Sequence, residues 1–162
     1  MLVSSLGEFL KFQQISAFEQ HIEVNLSSKV PSKSYVILHS QKEERRKILE
    51  KISTKISSYN KAEITFLEGK EWNHVNHVLS APSLFGDVEI VVWDGVKSLS
   101  DDVIDKLLRY IINPAPWAFL VIGADSFKSF SSLYTKVSKE LVILDLTEEK
   151  PWDREKRQQQ EI

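Results

Sequence analysis

Glu71, His74 and His77 stand three residues apart, a spacing that lines three potential metal ligands along one helical face and suits zinc or iron. The same helix would turn Trp72, Val75 and Val78 elsewhere, so this polar face reads as a solvated side rather than a metal site. The second candidate is Asp94. It closes the run Val91-Val92-Trp93-Asp94, the shape of a strand that holds magnesium in a nucleotide-binding fold. Gly95 follows where a catalytic glutamate is often found, and Asp94 reads equally as a turn residue at a strand end. Serines are frequent, but none lies in G-x-S-x-G, and His21 and His39 are isolated, so no nucleophile–base pair emerges. The carboxylate pairs Asp101/Asp102 and Glu148/Glu149 fall where helix starts and turns use acids. There is no cysteine, which excludes thiolate zinc sites, catalytic cysteines and disulfides and fits a reducing compartment. No catalytic, cofactor-binding or metal-binding residue is therefore expected, and no cofactor.

The glycines test the nucleotide reading directly. They number five, at positions 7, 69, 86, 95 and 123. No two are two apart and no two are five apart, so both G-x-G-x-x-G and G-x-x-x-x-G-K-[ST] are absent. The segment that would cradle phosphates, His39 to Arg46, has no glycine and carries Glu43 and Glu44, which would repel a triphosphate.

The elements that must position these residues follow from periodicity. Five apolar runs, Tyr35–Leu38, Ile64–Leu67, Val88–Trp93, Ala118–Ile122 and Leu141–Leu146, read as strands; the third and fourth are nearly uninterrupted, as in strands covered on both faces. Helical stripes fill the gaps: Ile48, Leu49, Ile52 and Ile56 within Glu43–Ser57; Trp72, Val75, Val78 and Leu79; Val103, Ile104, Leu107, Leu108, Ile111 and Ile112 within Asp101–Ile112; and the shorter Phe130, Leu133, Tyr134 and Val137. Leu6, Phe9, Leu10 and Phe18 form an amphipathic opening expected to pack on the sheet edge. Alternation of strand and helix predicts a three-layer α/β/α fold with a mainly parallel five-stranded sheet. Pro31, Pro82, Pro114, Pro116 and Pro151 all fall between the runs, where a residue without an N–H is tolerated.

With 162 residues, 42% apolar, the chain is long enough for one domain with a real core. We expect residues 1–147 to form it. Residues 148–162 read as the start of a following helix that stops without a helix-ending signal, as in a chain that continues. No run approaches the roughly 18 apolar residues of a membrane span, and Met1–Phe12 has no basic opening of a signal peptide, so a cytoplasmic protein without membrane contact is expected. The net charge of −2 hides a split. Gln41–Lys61 carries seven Lys/Arg against three Glu, whereas Ala62–Asp105 carries nine acids against two lysines. The basic stretch is either one solvated helix face or a patch for an acidic partner.

One stretch is hard to explain as core: Leu84 and Phe85, between a proline and a glycine, either tuck under the sheet or form a presented hydrophobic plug. Glu71-Trp72-Asn73 opens a helix that runs into Leu79-Ser80-Ala81-Pro82-Ser83-Leu84-Phe85-Gly86, and the strand Val88–Trp93 follows. In order and spacing this resembles the delta subunit of bacterial DNA polymerase III, the clamp-loader subunit that opens the sliding clamp. Tyr35-Val36-Ile37-Leu38-His39 resembles that family's opening strand and its degenerate P-loop. Tyr110-Ile111-Ile112-Asn113-Pro114-Ala115-Pro116-Trp117 resembles its "Y-hh-N-P-x-P" helix end. Val121-Ile122-Gly123-Ala124-Asp125-Ser126-Phe127, Leu133-Tyr134-Thr135-Lys136 and Pro151-Trp152-Asp153 resemble later segments, so the likeness covers most of Ser34–Glu155.

The resemblance implies a RecA/AAA+-like fold with strand order 5-1-4-3-2, counting the five runs along the chain. It implies a Leu84-Phe85 plug, flanked by Pro82 and Ser83, that enters a hydrophobic pocket on the sliding clamp, the beta subunit. It further implies contacts with other clamp-loader subunits through a region beyond this sequence, contact with DNA only indirectly, and no ATPase activity of the chain's own. As part of the holoenzyme, such a chain would be classed with DNA-directed DNA polymerases, which are nucleotidyltransferases. The chain departs from the pattern after the plug, where Gly86-Asp87 replaces the usual arginine. Two other readings stand beside this one: a nucleotide-binding ATPase of RecA-like fold, and a nucleic-acid-binding domain using the basic helix at 42–55.

Overall fold

The computed structural model describes residues 3–5, 10–28, 31–82, 84, 86–126, 128, 141–147, 155–156 and 159. Their backbone builds β1 (Val3–Ser5), β2 (Leu10–Phe12), α1 (Ile15–Leu26), β3 (Ser34–Leu38), α2 (Lys42–Ser57), β4 (Ala62–Glu68), α3 (Trp72–Leu79), β5 (Val88–Val96), α4 (Asp101–Ile112), β6 (Ala118–Ala124) and β7 (Leu141–Asp145). The helical stripe Phe130–Val137, Leu6 and Phe9 of the opening, and nearly all of 148–162 lie outside the described residues.

The strands form one sheet in the order β1-β2-β7-β3-β6-β5-β4. From β7 to β4 this is the order implied by the resemblance, and every neighbouring pair from β2 onward is parallel. Where five strands are expected, the described residues form seven. The opening does reach the sheet edge, but as strands: β2 lies parallel to β7, and β1 turns back antiparallel on β2. The physical reason is the open edge of β7, whose peptide groups need partners. Three-residue strands are too short to show a period, which is why composition does not reveal them. Phe18 belongs instead to α1, whose buried stripe is Ile15, Phe18 and Ile22.

Alternation along each strand divides the core in two. Tyr35 and Ile37, Ile90 and Val92, Phe119 and Val121, and Val142 and Leu144 face α1 and α2, where Phe18, Ile22, Ile48, Leu49, Ile52 and Ile56 cover them. Val36 and Leu38, Val91 and Trp93, Leu120 and Ile122, and Leu141 and Ile143 face α3 and α4, under Trp72, Val75, Leu79, Ile104, Leu107 and Ile111. Every residue of β3, β6 and β7 is buried. Each fully buried aliphatic side chain stabilises by about 1.5–3 kcal/mol, so burial on both faces explains why these strands read as unbroken apolar runs. Among the described residues β4 has one neighbouring strand, β5, and there Ile64, part of an apolar run, is exposed. Ile112, read as the end of the α4 stripe, is exposed as well.

Candidate functional site

The loop between α3 and β5 is held at both ends and open between them. At its entry, the Trp117 indole N–H donates to the Leu79 carbonyl at 3.0 Å, and Ala81 N–H donates to Val78 O at 3.3 Å. At its exit, Asp87 N–H donates to the Lys61 carbonyl at 2.6 Å and Val88 N–H to the same oxygen at 3.2 Å. Between these anchors Leu84 is 85% exposed, and Ala81 and Pro82 are exposed with it. Ser83 and Phe85 lie outside the described residues. A leucine left this exposed forgoes about 1.5–3 kcal/mol of burial.

Gly86 makes the exit anchor possible. A Cβ there would lie 2.8 Å from the Lys61 carbonyl oxygen and 3.3 Å from Ala62 Cα, both backbone atoms that cannot swing aside. Gly86→Ala is therefore expected to cost about 1–3 kcal/mol, as overpacking does, and to shift the loop. Thermal melting, with amide exchange at Asp87 and Val88, checks this.

Beside the anchor, Glu63 and Glu89 are direct cross-strand partners of β4 and β5, and Glu89 is buried. Burial pushes the Glu89 carboxyl above its ordinary value; the Thr65 hydroxyl, donating at 2.7 Å, offsets part of this, and Glu63 adds to the rise. An acid whose folded value is raised contributes its full stability below the unfolded value and loses it as pH rises through the folded one. Glu89→Gln is thus expected to raise the melting temperature at pH 7, with the gain vanishing below about pH 4. Melting curves across that range check the sign.

The opposite end of the sheet holds the nucleotide question. Arg45 and Asp94 are both 2% exposed. Arg45 Nε donates to Asp94 Oδ1 at 2.6 Å, and Nη1 donates to Asp125 Oδ1 and to the His39 carbonyl, each at 2.8 Å. Asp94 is therefore neither an open magnesium ligand nor a strand-end turn residue. β5 continues to Val96 past an irregularity at Gly95, whose φ of 74° favours glycine. Arg45 is the site residue that sequence reasoning missed, having been counted in a basic face. Its signal was present: it precedes Ile48 by three and Leu49 by four, on the apolar stripe of α2.

Four of the other five cations on α2 pair with acids, and the fifth, Lys47, is exposed. Lys42 pairs with Glu68 at 2.5 Å, Arg46 with Glu50 at 3.0 Å, Lys51 with Glu19 at 3.6 Å, and Lys55 with Glu23. The Lys55–Glu23 contact raises the lysine above its ordinary value. Each such surface pair is worth only about 0–1 kcal/mol. Glu71, His74 and His77 are all exposed, and no cluster of three metal-ligating side chains occurs among the described residues. Ser100 and Asp101/Asp102 start α4 as expected, with the Ser100 hydroxyl accepting from Val103 N–H. Glu148 and Glu149 lie outside the described residues. No described helix is long and apolar enough to cross a membrane.

No family model matches the chain, and no curated protein matches it in sequence. Solved structures do match its fold. A DNA polymerase III gamma-subunit-related protein from Thermotoga maritima superposes with a TM-score of 0.54 at 12% identity, over 85% of this chain and 47% of that one. The DNA clamp loader delta protein of Bacillus subtilis gives a TM-score of 0.55 at 12% identity, over 78% of this chain and 42% of that one. The chain thus spans less than half the length of either, and the likeness is one of fold: a mostly parallel sheet covered by helices.

Proposed function

We propose that this chain is a clamp-loader domain of the delta kind, which binds a sliding clamp of DNA replication through Leu84 and Phe85 and helps to open it without using nucleotide itself. The observation that carries this reading is Leu84, 85% exposed on a loop anchored at both ends. The fold supports it, since the structures that share it include a DNA clamp loader delta protein and a DNA polymerase III gamma-subunit-related protein. A large apolar pair that fills one well-packed, desolvated pocket would serve as the anchor of a binding hot spot, and Pro82 and Ser83 would shape the turn that presents it. Opening a closed ring requires only that the open state be bound more tightly than the closed one. Other clamp-loader subunits would be met through chain beyond this sequence, DNA would be contacted indirectly, and the setting would be cytoplasmic.

The test is a calorimetric titration of the chain into the sliding clamp of its own organism. Saturable binding supports the reading, and no heat at tens of micromolar clamp overturns it. The ATPase reading is disfavoured by the absence of glycine from His39–Arg46, the turn and first residues of α2, and by Arg45 bonded to Asp94. Magnesium-dependent ATP binding at micromolar affinity would restore it.

A further inference from the structure

The carboxyl ends of three strands share one buried cation. His39 follows β3, Asp94 belongs to β5 and Asp125 follows β6, and the Arg45 guanidinium bonds to all three. The backbone around it is built for this contact. His39 N–H donates to the Ala124 carbonyl at 3.1 Å, and Gln41 N–H donates to His39 Nδ1 at 3.0 Å, which fixes the turn into α2. On β6 the residue facing the Asp94 carboxylate is Gly123, where a Cβ would collide with that carboxylate and come within 2.9 Å of Leu49 Cδ1. Glycine here leaves the room that the ion pair fills.

The position matters. In an open parallel sheet, ligands bind outside the carboxyl ends of the strands at the point where the connections diverge. The connection from β3 leads through α2 to β4 on one side, while the chain from β6 reaches β7 on the other, so the crevice between β3 and β6 is that point. A nucleotide bound there needs glycine amides for its phosphates and a carboxylate free for its metal ion. The residues present do not fit that ligand: the turn has no glycine, and the carboxylate is already bonded.

We infer that Arg45 is a built-in ligand of this crevice: its guanidinium takes the place of a metal cation between Asp94 and Asp125 and locks the ends of β3, β5 and β6 in one nucleotide-independent arrangement. A forked, permanently charged group suits the task, because it can bond two carboxylates and a carbonyl at once and cannot lose its charge. Asp94, lying deep, supplies the fixed anchor; the Asp125 side chain, 68% exposed, closes the outer side. The inference does not rest on what the α3–β5 loop binds.

The test is Arg45→Ala in the whole chain, followed by thermal melting. That variant leaves Asp94 and Asp125 facing a cavity with no cation. Its melting temperature is expected to fall by roughly 10 °C or more. Millimolar ethylguanidinium, or manganese followed by calorimetry, is expected to restore part of the loss, beyond matched sodium chloride, and to leave the parent unchanged. Melting within about 2 °C of the parent would overturn the inference, as would a loss that neither cation restores. Asp125→Asn serves if Arg45→Ala fails to fold, because its side chain is exposed. It is expected to melt slightly lower and to exchange the His39 amide at least several-fold faster; unchanged exchange counts against the lock.

Discussion

Alanine at Leu84 is expected to weaken clamp binding by at least about 30-fold, the equivalent of the roughly 2 kcal/mol that defines a hot spot, while leaving the fold almost untouched. The separation of the two effects follows from exposure. A leucine that is 85% exposed contributes little to folding, so its truncation belongs with surface substitutions, within about 0.5 kcal/mol, or one to two degrees in a domain of this size. A core leucine would behave in the opposite way, costing about 2–5 kcal/mol of stability. Removing Phe85 as well should abolish measurable binding, since an aromatic ring adds up to about 150–250 Å² of buried surface. Two measurements decide the matter: calorimetry against the clamp and a melting curve. Unchanged affinity in Leu84→Ala would remove the site assignment. A melting temperature lower by more than about 5 °C would show Leu84 to be structural in solution.

What could be read from the amino acids, and what could not, divides along physical lines. β3, β5, β6 and β7 were legible because burial on both faces leaves little freedom in residue choice, so the runs are almost free of polar residues. α4 was legible to the residue, from Asp101 to Ile112, because cap, acidic first turn and apolar stripe all agree. Strand order was a different matter. No local pattern specifies which strands pair, and the order came from the resemblance alone. β1 and β2 are too short to show a pattern, and they exist because β7 needs an edge partner. The Arg45 cluster was illegible for a related reason. Its charged members Arg45, Asp94 and Asp125 are 31 to 80 residues apart along the chain, and two of them have an ordinary local explanation: a basic helix for Arg45, a turn for Asp94. Only the sheet brings them together.

The same stretch that presents Leu84 contains its counterpart in the fold. Trp72 is 4% exposed, with its ring centroid 5.7 Å from those of Trp93 and Tyr110. α3 has only eight residues, and no side chain caps its first turn, so it cannot persist on its intrinsic propensity. It exists because Trp72, Val75 and Leu79 bury one face against β5 and α4. Trp72→Ala is therefore expected to cost about 3–5 kcal/mol, a large part of the 5–15 kcal/mol typical of a whole domain. For a domain of this length that corresponds to a fall in melting temperature of roughly 10 °C or more. Clamp binding should weaken in Trp72→Ala only as α3 and the loop it carries lose their structure, and Trp72→Phe, which refills most of the volume, should bind nearly as the parent does. Leu84 and Trp72 thus move different equilibria although both are large, apolar and twelve residues apart. A Trp72→Ala chain that melts within about 2 °C of the parent would show that α3 is held by something other than this aromatic cluster.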